Sequence, residues 1–549
     1  MPTPPEHPPV APEEFPRPAD DDPPEDTPDA QGGGAFARFL RFVEWLGNLL
    51  PHPVTLFALF AGAIVVISGI AGAVGLAVED PRPESASGRA EDGMIRAVSL
   101  VSGDGLRLIV ENLVTNFTGF VPLGTVLVAL LGVGVAEHSG LLSAAIRLLV
   151  AKAPPRLMTL AVVFCGVVSN TASEMGYVVL IPLAAVVFHA LGRHPLAGMA
   201  AAFAGVSGGY SANLLIGTVD PLLAGITQEA AQLIDPGYEV HAAVNYYFMV
   251  ASTFMITAVG TWVTHRFVEP QLGTYDPAHA GPDVPEPRLD PLTPTETRGL
   301  VWAAVSALVV VALVALAVVP EGGALRNPET GDVLRSPFLR GIVALIFVFF
   351  LVPGVVYGWV TGSVRSDRDV VDGMSQSMST LGLYIVLVFF AAQFVAFFGW
   401  TNLGALLAVG GANGLQAAGL TGPLVFIPFI LMCCFVNLML GSASAQWAVT
   451  APIFVPMLML VGFSPEVIQA AYRIGDSTTN VITPMMSYFG LILAFVVRYD
   501  RRAGVGTMVA MMLPYTVFFL VAWIALFYLW VFGLGLSVGP EAPTYYPAP

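Results

Sequence analysis

From Asn437 to Pro484 the chain is apolar enough for a bilayer, yet it carries Asn437, Gly441, Ser442, Ser444, Trp447, Pro465, Arg473, Asp476 and Asn480. A charge held at mid-membrane costs about 2.5–3.5 kcal/mol on insertion scales, so such residues face a cavity or a partner rather than lipid. Two small polar runs, Gly441-Ser442-Ala443-Ser444-Ala445 and Gly475-Asp476-Ser477-Thr478-Thr479-Asn480, read as interruptions of helices that would otherwise span. Non-helical backbone at that depth is tolerated only where protein buries it or it lines water, and secondary transporters build their midplane sites this way. The stretch predicts a transport site.

The rest of the chain agrees with an all-α polytopic membrane protein. Of its 549 residues 55% are hydrophobic and 11% charged, far too apolar a balance for a soluble domain. Several runs of roughly 20 apolar residues are long enough to cross a ~30 Å hydrocarbon core. The net charge of −16 says little about ligands, because the first thirty residues hold nine acids against Arg17. No basic surface for nucleic acid is present. Cys165, Cys433 and Cys434 lie in apolar stretches without metal-ligand spacing and read as small buried hydrophobes. Neither a phosphate-cradling loop nor a nucleophile–base pair occurs, which argues against an ATP-driven pump and leaves an intramembrane enzyme as a remote alternative. A pure scaffold has no need of two symmetric polar breaks. No cofactor is predicted.

In order, residues 1–34 read as a disordered acidic tail. Residues 35–100 hold an amphipathic segment at Ala35–His52, a first span at about 53–78 and a polar loop. Residues 101–265 form a first repeat unit with a span at about 118–137 that Glu137-His138 closes, more plausibly as solvated residues than as a metal or catalytic pair. In the same unit, 156–193 reads as a re-entrant hairpin, followed by a span broken at Ser207–Asn213, an acidic loop at 218–241 and a span at 242–265. Each hairpin arm has only about a dozen residues before the polar centre Ser169-Asn170-Thr171-Ala172-Ser173-Glu174. That is roughly 18 Å, too short to cross. Residues 266–363 are a linker and two scaffold spans. Residues 364–535 repeat the pattern, with a span at 380–398, a hairpin at 423–463, a broken span at 465–496 and a last span at 505–532; 536–549 is a tail. Pro182 and Pro452, Pro195 and Pro465, and Gly205 and Gly475 are each 270 residues apart, as a duplicated unit requires.

Basic residues set the orientation. Arg147, Lys152, Arg156 and Arg193 flank the first hairpin, and Arg266, Arg288, Arg365, Arg368, Arg498, Arg501 and Arg502 mark other inside loops. The 218–241 loop and the ends of the second hairpin lack Lys and Arg and lie outside, so the hairpins enter from opposite faces. About nine spans and two hairpins then put the N-terminus in the cytoplasm and the C-terminus outside, with Arg82, Arg89, Arg96, Arg326 and Arg335 against the rule.

Each polar residue has a functional and a plainer reading. Glu174 is a cation or proton site, or a tip carboxylate capping its own helix. Asn213 and Asn480, at equivalent breaks, suit a small hard cation or merely cap helices; Asn170 and Asp476 stand beside them, so these four are the candidate sodium ligands. Arg473 matches a carboxylate bidentately, or forms a structural bridge with Asp476 or Glu174. Trp447 stacks on an aromatic ligand, or packs as membrane tryptophans more often do.

The segments AEHSG (136–140), SNTASEMGYVVLIPLAA (169–185), SGGYSANLLIGTVDPLLAGIT (207–227), GSASAQWAVTAPIFVPMLML (441–460), AYRIGDSTTNVITPMMSYFG (471–490) and the terminal APTYYPAP resemble the p-aminobenzoyl-glutamate transporter (AbgT) family, over about residue 38 to the end. The resemblance implies a homodimer of nine-span, two-hairpin subunits in the bacterial inner membrane, with an inward-facing bowl and cation-coupled transport. It implies site residues at Glu174, Asn437, Ser444, Trp447, Pro465 and Arg473, with Glu174 one methylene longer than the Asp read for several relatives at that place. It implies two activities, uptake of p-aminobenzoyl-glutamate and export of sulfonamide-type antimetabolites. The second hairpin and the tail look most like the importing members, which tilts the expectation to uptake. A short-chain fatty-acid or dicarboxylate carrier is the related alternative.

Overall fold

In the computed structural model, residues 51–82, 89–172, 176–281, 284, 291–333 and 336–546 are described. The acidic tail, nearly all of the Ala35–His52 segment, Glu174 and Arg335 lie outside them. Among the described residues, nine helices are long and apolar enough to cross a membrane. Seven are the uninterrupted spans expected from the sequence; the other two are the arms of the second hairpin, Pro423–Leu440 and Ala443–Val461. The two broken spans do not qualify, because each is divided into pieces of sixteen residues or fewer.

The first span is α1 (Pro53–Ala73), and the polar loop after it folds back as a two-stranded antiparallel ribbon, β1 (Ala77–Glu79) against β2 (Met94–Arg96). Beyond the ribbon the chain runs through two sets of elements in the same order. The first set is α2 (Gly103–Thr118), α3 (Val121–His138), α4 (Leu141–Ala151), α5 (Met158–Ser169), α6 (Ile181–Ala190), α7 (Pro195–Phe203), α8 (Val219–Ala231) and α9 (Tyr246–Val263). Two scaffold helices follow, α10 (Pro294–Val318) and α11 (Ile342–Thr361). The second set is α12 (Asp367–Thr380), α13 (Gly382–Trp400), α14 (Leu403–Ala417), α15 (Phe426–Leu440), α16 (Ala443–Val461), α17 (Pro465–Asn480), α18 (Phe489–Tyr499) and α19 (Val505–Phe527). A 3-10 turn opened by a proline starts each hairpin, at Pro155–Leu157 and Pro423–Val425. A further proline opens each broken span, Pro195 and Pro465, where its missing N–H costs nothing and its φ suits the first helical turn.

The halves are stitched together reciprocally. α2 meets α13, where Asn116 Nδ2 donates to Gln393 Oε1 at 2.9 Å and Gln393 Nε2 donates to the Leu113 carbonyl at 2.9 Å. α3 meets α12, where Ser377 Oγ donates to the Leu130 carbonyl at 3.1 Å. At the centre α9 lies along α19, with Trp523 Nε1 donating to Ser252 Oγ at 2.8 Å. Buried polar groups in such a core must be paired, and these pairs join one half to the other.

Two sequence expectations are corrected here. Gly475–Asn480 does not interrupt its helix: α17 runs through it, and the open segment is 481–488. Gly475 serves packing instead, since a Cβ there would stand 2.5 Å from Cys433 Cβ and 2.7 Å from the Ile430 carbonyl on α15. Pro484, which cannot join a helix interior, lies within the open segment. The acidic 218–241 loop is also not a loop throughout. Its first thirteen residues are α8, most of which is buried.

Candidate functional site

Every residue of α17 is buried, although five of them form a polar stripe. Glu466, Gln469, Arg473, Asp476 and Asn480 follow one another at spacings of three and four, which puts them on one face of a helix. A polar stripe that deep survives only if each member has a partner. Tyr238 Oη donates to the Glu466 carboxylate, 3.0 Å from both oxygens. Gln469 Nε2 donates to Asn245 Oδ1 at 2.9 Å, and its Oε1 lies 2.6 Å from Thr227 Oγ1. Arg473 Nη2 donates to Asp220 Oδ1 at 2.7 Å, both side chains being nearly inaccessible. The other Asp220 oxygen accepts from the Gly217 N–H at 2.7 Å.

At its far end the stripe meets the second hairpin. Asn437 Nδ2, on α15, lies 2.6 Å from the Asp476 carbonyl, 2.9 Å from Thr479 Oγ1 and 2.7 Å from Asn480 Oδ1. The first half has the same joint: Asn170 Nδ2 donates to the Gly209 carbonyl at 3.3 Å, and Thr171 Oγ1 donates to Asn213 Oδ1 at 2.7 Å. Asn170 and Asn437, Gly209 and Asp476, and Asn213 and Asn480 are each 267 residues apart. Both asparagine carbonyl oxygens, Asn170 Oδ1 and Asn437 Oδ1, are buried with no protein partner. Neither carboxylate oxygen of Asp476 accepts a hydrogen bond, although the side chain is fully buried; the adjacent Tyr472 hydroxyl donates instead to the Ala443 carbonyl at 2.7 Å.

A polar cavity of about 200 Å³ opens where both hairpins and both breaks converge. Asn170, Tyr177, Tyr210, Ser444, Asn480 and Tyr488 line it. Tyr177 and Tyr488 stack at 4.6 Å with nearly parallel rings. Gly441 forms the tip of the second hairpin with φ +57°, a conformation that favours glycine, and a Cβ there would come within 2.8 Å of the Met485 carbonyl.

The ten residues singled out in the sequence thus fall into groups. Asn170, Asn480 and the half-buried Ser444 are on the cavity wall. Asn437, Asn213 and Asp476 lie immediately behind, bonded to or within the segments that form it. Arg473 and Pro465 are about 10 and 22 Å further along α17 from Asn480, at 1.5 Å per residue. Trp447 is fully buried: its ring stacks on Tyr472 at 4.2 Å and its Nε1 donates to Thr227 Oγ1 at 2.9 Å. Glu174 is outside the described residues. The partner of Arg473 is Asp220, which sequence reasoning assigned to an exposed loop. Its signal was there: an acid followed by Pro221 inside the apolar run TVDPLLAGIT, at the start of a helix. The aromatic wall of Tyr177, Tyr210 and Tyr488 carried no such signal.

A sequence model described as "AbgT putative transporter family" matches residues 38–546. The p-aminobenzoyl-glutamate transport protein of Escherichia coli (strain K12) is 38% identical over 500 residues, 91% of this chain and 95% of that protein. Among solved structures, MtrF of Neisseria gonorrhoeae, described as illuminating a class of antimetabolite efflux pumps, superposes with a TM-score of 0.87 at 63% identity, over 92% of this chain and 100% of that one. YdaH of Alcanivorax borkumensis, a transporter described as having an unusual topology, superposes at 0.82 with 45% identity, over 89% and 100%.

Proposed function

Because the chain belongs to the AbgT transporter family, we propose that it is an ion-coupled secondary transporter of p-aminobenzoyl-class molecules, working as a homodimer in the bacterial inner membrane with its N-terminus in the cytoplasm. The class includes p-aminobenzoyl-glutamate, named for the 38% identical relative, and sulfonamide-type antimetabolites, which carry the same p-amino-substituted ring. One observation carries the reading: a wholly buried helix holds a charged pair, Arg473 with Asp220, and ends on a polar cavity walled by tyrosines. Tyrosine faces suit an aromatic cargo, and the hydroxyls and amides beside them suit its amine and acid groups.

The coupling ion is assigned to the asparagine joints. The Asp476 carbonyl, Thr479 Oγ1 and Asn480 Oδ1 converge on the Asn437 amide, with the Asp476 carboxylate on the same helix. A set of oxygens at a hairpin tip is the donor type that holds sodium in other carriers with broken helices. Asn170 with Asn213 is the neutral counterpart, with Glu174 as a proton carrier in the same hairpin.

Direction follows from charge. A dianion moving inward opposes an inside-negative potential by about 2.3 kcal/mol per charge per 100 mV, so uptake of p-aminobenzoyl-glutamate needs at least two accompanying cations. A neutral or singly charged antimetabolite leaving the cell needs only proton exchange. Arg473 is already neutralised by Asp220, which leaves no free guanidinium for a second cargo carboxylate. The 63% identity to an efflux pump points the same way. Export of antimetabolites is therefore the leading reading, and uptake the second, favoured by the E. coli relative's name.

The deciding experiment is transport in proteoliposomes under an imposed sodium gradient and then a pH gradient alone, with each cargo. Sulfonamide movement driven by the pH gradient alone supports export. Sodium-driven accumulation of p-aminobenzoyl-glutamate that fails in Asn437→Ala and Asn480→Ala establishes uptake. Movement of neither cargo refutes the cargo class.

A further inference from the structure

The scaffold helices α10 and α11 do not close against the first break. Between them lies a cavity of about 470 Å³ whose wall is overwhelmingly apolar, including Leu215, Ile216, Val311, Val314, Leu345 and Phe349. An apolar cavity of that kind stays dry or takes an apolar guest. α10 faces outward along most of its length, with Leu308, Leu313 and Leu316 more than half exposed, so membrane lipid is what stands beside the opening. A second cavity, of about 220 Å³, shares Leu339 and Ile342 with the first. Its lining is polar and includes Gln228, Glu239, His241 and Arg340. Arg340 and Glu239 pair at 3.1 Å while remaining about two-thirds exposed (65% and 68%), and His241 Nε2 is buried without a partner.

The two cavities together have the outline of an amphiphile, and the polar end presents one cation beside one anion. The complementary headgroup is a zwitterion whose phosphate meets Arg340 and whose ammonium donates to Glu239. We propose that a phospholipid with a primary-amine headgroup, phosphatidylethanolamine in chemistry, occupies this site with one acyl chain between α10, α11 and the first break. Phosphatidylcholine has no N–H to give Glu239, and phosphatidylglycerol has no ammonium at all. The chain would press on Leu215 and Ile216, which stand between Asn213 and Asp220. It would also touch Tyr246, whose hydroxyl donates to the Leu214 carbonyl at 3.0 Å. The lipid thereby buttresses the segment that joins the candidate cation joint to the partner of Arg473, whichever cargo is carried.

Native mass spectrometry of the purified full-length protein tests this directly, after delipidation and titration with phosphatidylethanolamine, phosphatidylcholine or phosphatidylglycerol of identical chains. The ethanolamine lipid should bind as one copy per subunit and be retained roughly tenfold better than the other two. Val314→Trp and, independently, Val311→Trp should fill the apolar cavity and remove that copy, with thermal unfolding confirming that each variant is folded. Glu239→Gln should keep a bound lipid but abolish the preference for the amine. Equal retention of all three lipids by the natural protein overturns the headgroup assignment. Undiminished binding in both tryptophan variants overturns the site. Conversion of a dimer to monomers by those variants, without lipid loss, means that a second copy covers the groove and also overturns it.

Discussion

Arg473 Nη2 and Asp220 Oδ1 meet at 2.7 Å across 253 residues of chain, in a place almost without solvent. Removing one member of a buried pair leaves the other charge uncompensated, which typically costs about 3–5 kcal/mol. Asp220→Asn and Arg473→Gln should each abolish transport and lower the unfolding temperature in detergent. The double variant should recover much of the stability and none of the transport. If the double variant is as unstable as either single one, the pair is not what holds α8 to α17.

The aromatic residues divide by what they already touch. Trp447 is occupied by Tyr472 and Thr227, so Trp447→Phe keeps the ring contact and loses a hydrogen bond worth about 1 kcal/mol. Tyr488 is on the cavity wall, where its stack with Tyr177 is open to an aromatic guest. Equilibrium titration with an aromatic cargo should show Tyr488→Ala weakening affinity roughly tenfold, by loss of a stacking contact of about 0.5–1.5 kcal/mol and its packing, and Trp447→Phe much less. The reverse order would mean that the cargo displaces Tyr472 to reach Trp447.

The asparagine joints are alike in sequence and unlike in charge, since the counterpart of Asp476 is Gly209. A monovalent cation should prefer the joint with the carboxylate. Asn437→Ala should raise the sodium concentration for half-maximal stabilisation or transport by roughly tenfold, the loss of one charge-assisted contact. Asn170→Ala should shift it less. Equal shifts would make the two sites equivalent and remove Asp476 from the coupling. No shift in either would take sodium away from both joints.

How far the sequence discloses these features depends on the kind of signal. The seven uninterrupted spans are legible because length and apolarity are local properties. The duplication is legible because prolines at 195 and 465, and asparagines at 170 and 437, keep their spacing. The exact break in the second half is not. Gly475-Asp476-Ser477-Thr478-Thr479-Asn480 looks like a helix breaker by composition, but tight packing of Gly475 on α15 and side-chain hydroxyls returning to the previous turn hold it helical, as Thr478 Oγ1 does to the Ile474 carbonyl at 2.9 Å. Asp220 is illegible for another reason. Its burial is decided by Arg473, far away in the chain, and a one-residue acid in an apolar run does not announce its partner. The spacing of Glu466, Gln469, Arg473, Asp476 and Asn480 was readable as a stripe and tells more than any single residue in it.

The tail makes the last test, because it grips the start of the same helix. Tyr546 N–H donates to the Gly462 carbonyl at 3.0 Å, Ser464 N–H to the Thr544 carbonyl at 3.3 Å, and Ser464 Oγ to the Pro543 carbonyl at 2.5 Å. Phe248 N–H donates to the Val538 carbonyl at 3.0 Å, and Tyr546 Oη donates to Asp235 Oδ2 at 3.2 Å. Ser464 is the N-cap of α17, so the tail holds the residue that sets where the helix bearing Arg473 begins. Five hydrogen bonds at about 1 kcal/mol each, less the entropy of an ordered tail, leave a net effect of a few kcal/mol. Ending the chain after Leu536 should therefore lower the unfolding temperature by several degrees, and it should speed hydrogen exchange at the first turn of α17 while leaving α1 unchanged. Ser464→Ala in the full chain should reproduce part of both effects. A truncated protein with unaltered exchange at Pro465–Gln469 would mean that the tail rests on the helix without holding it.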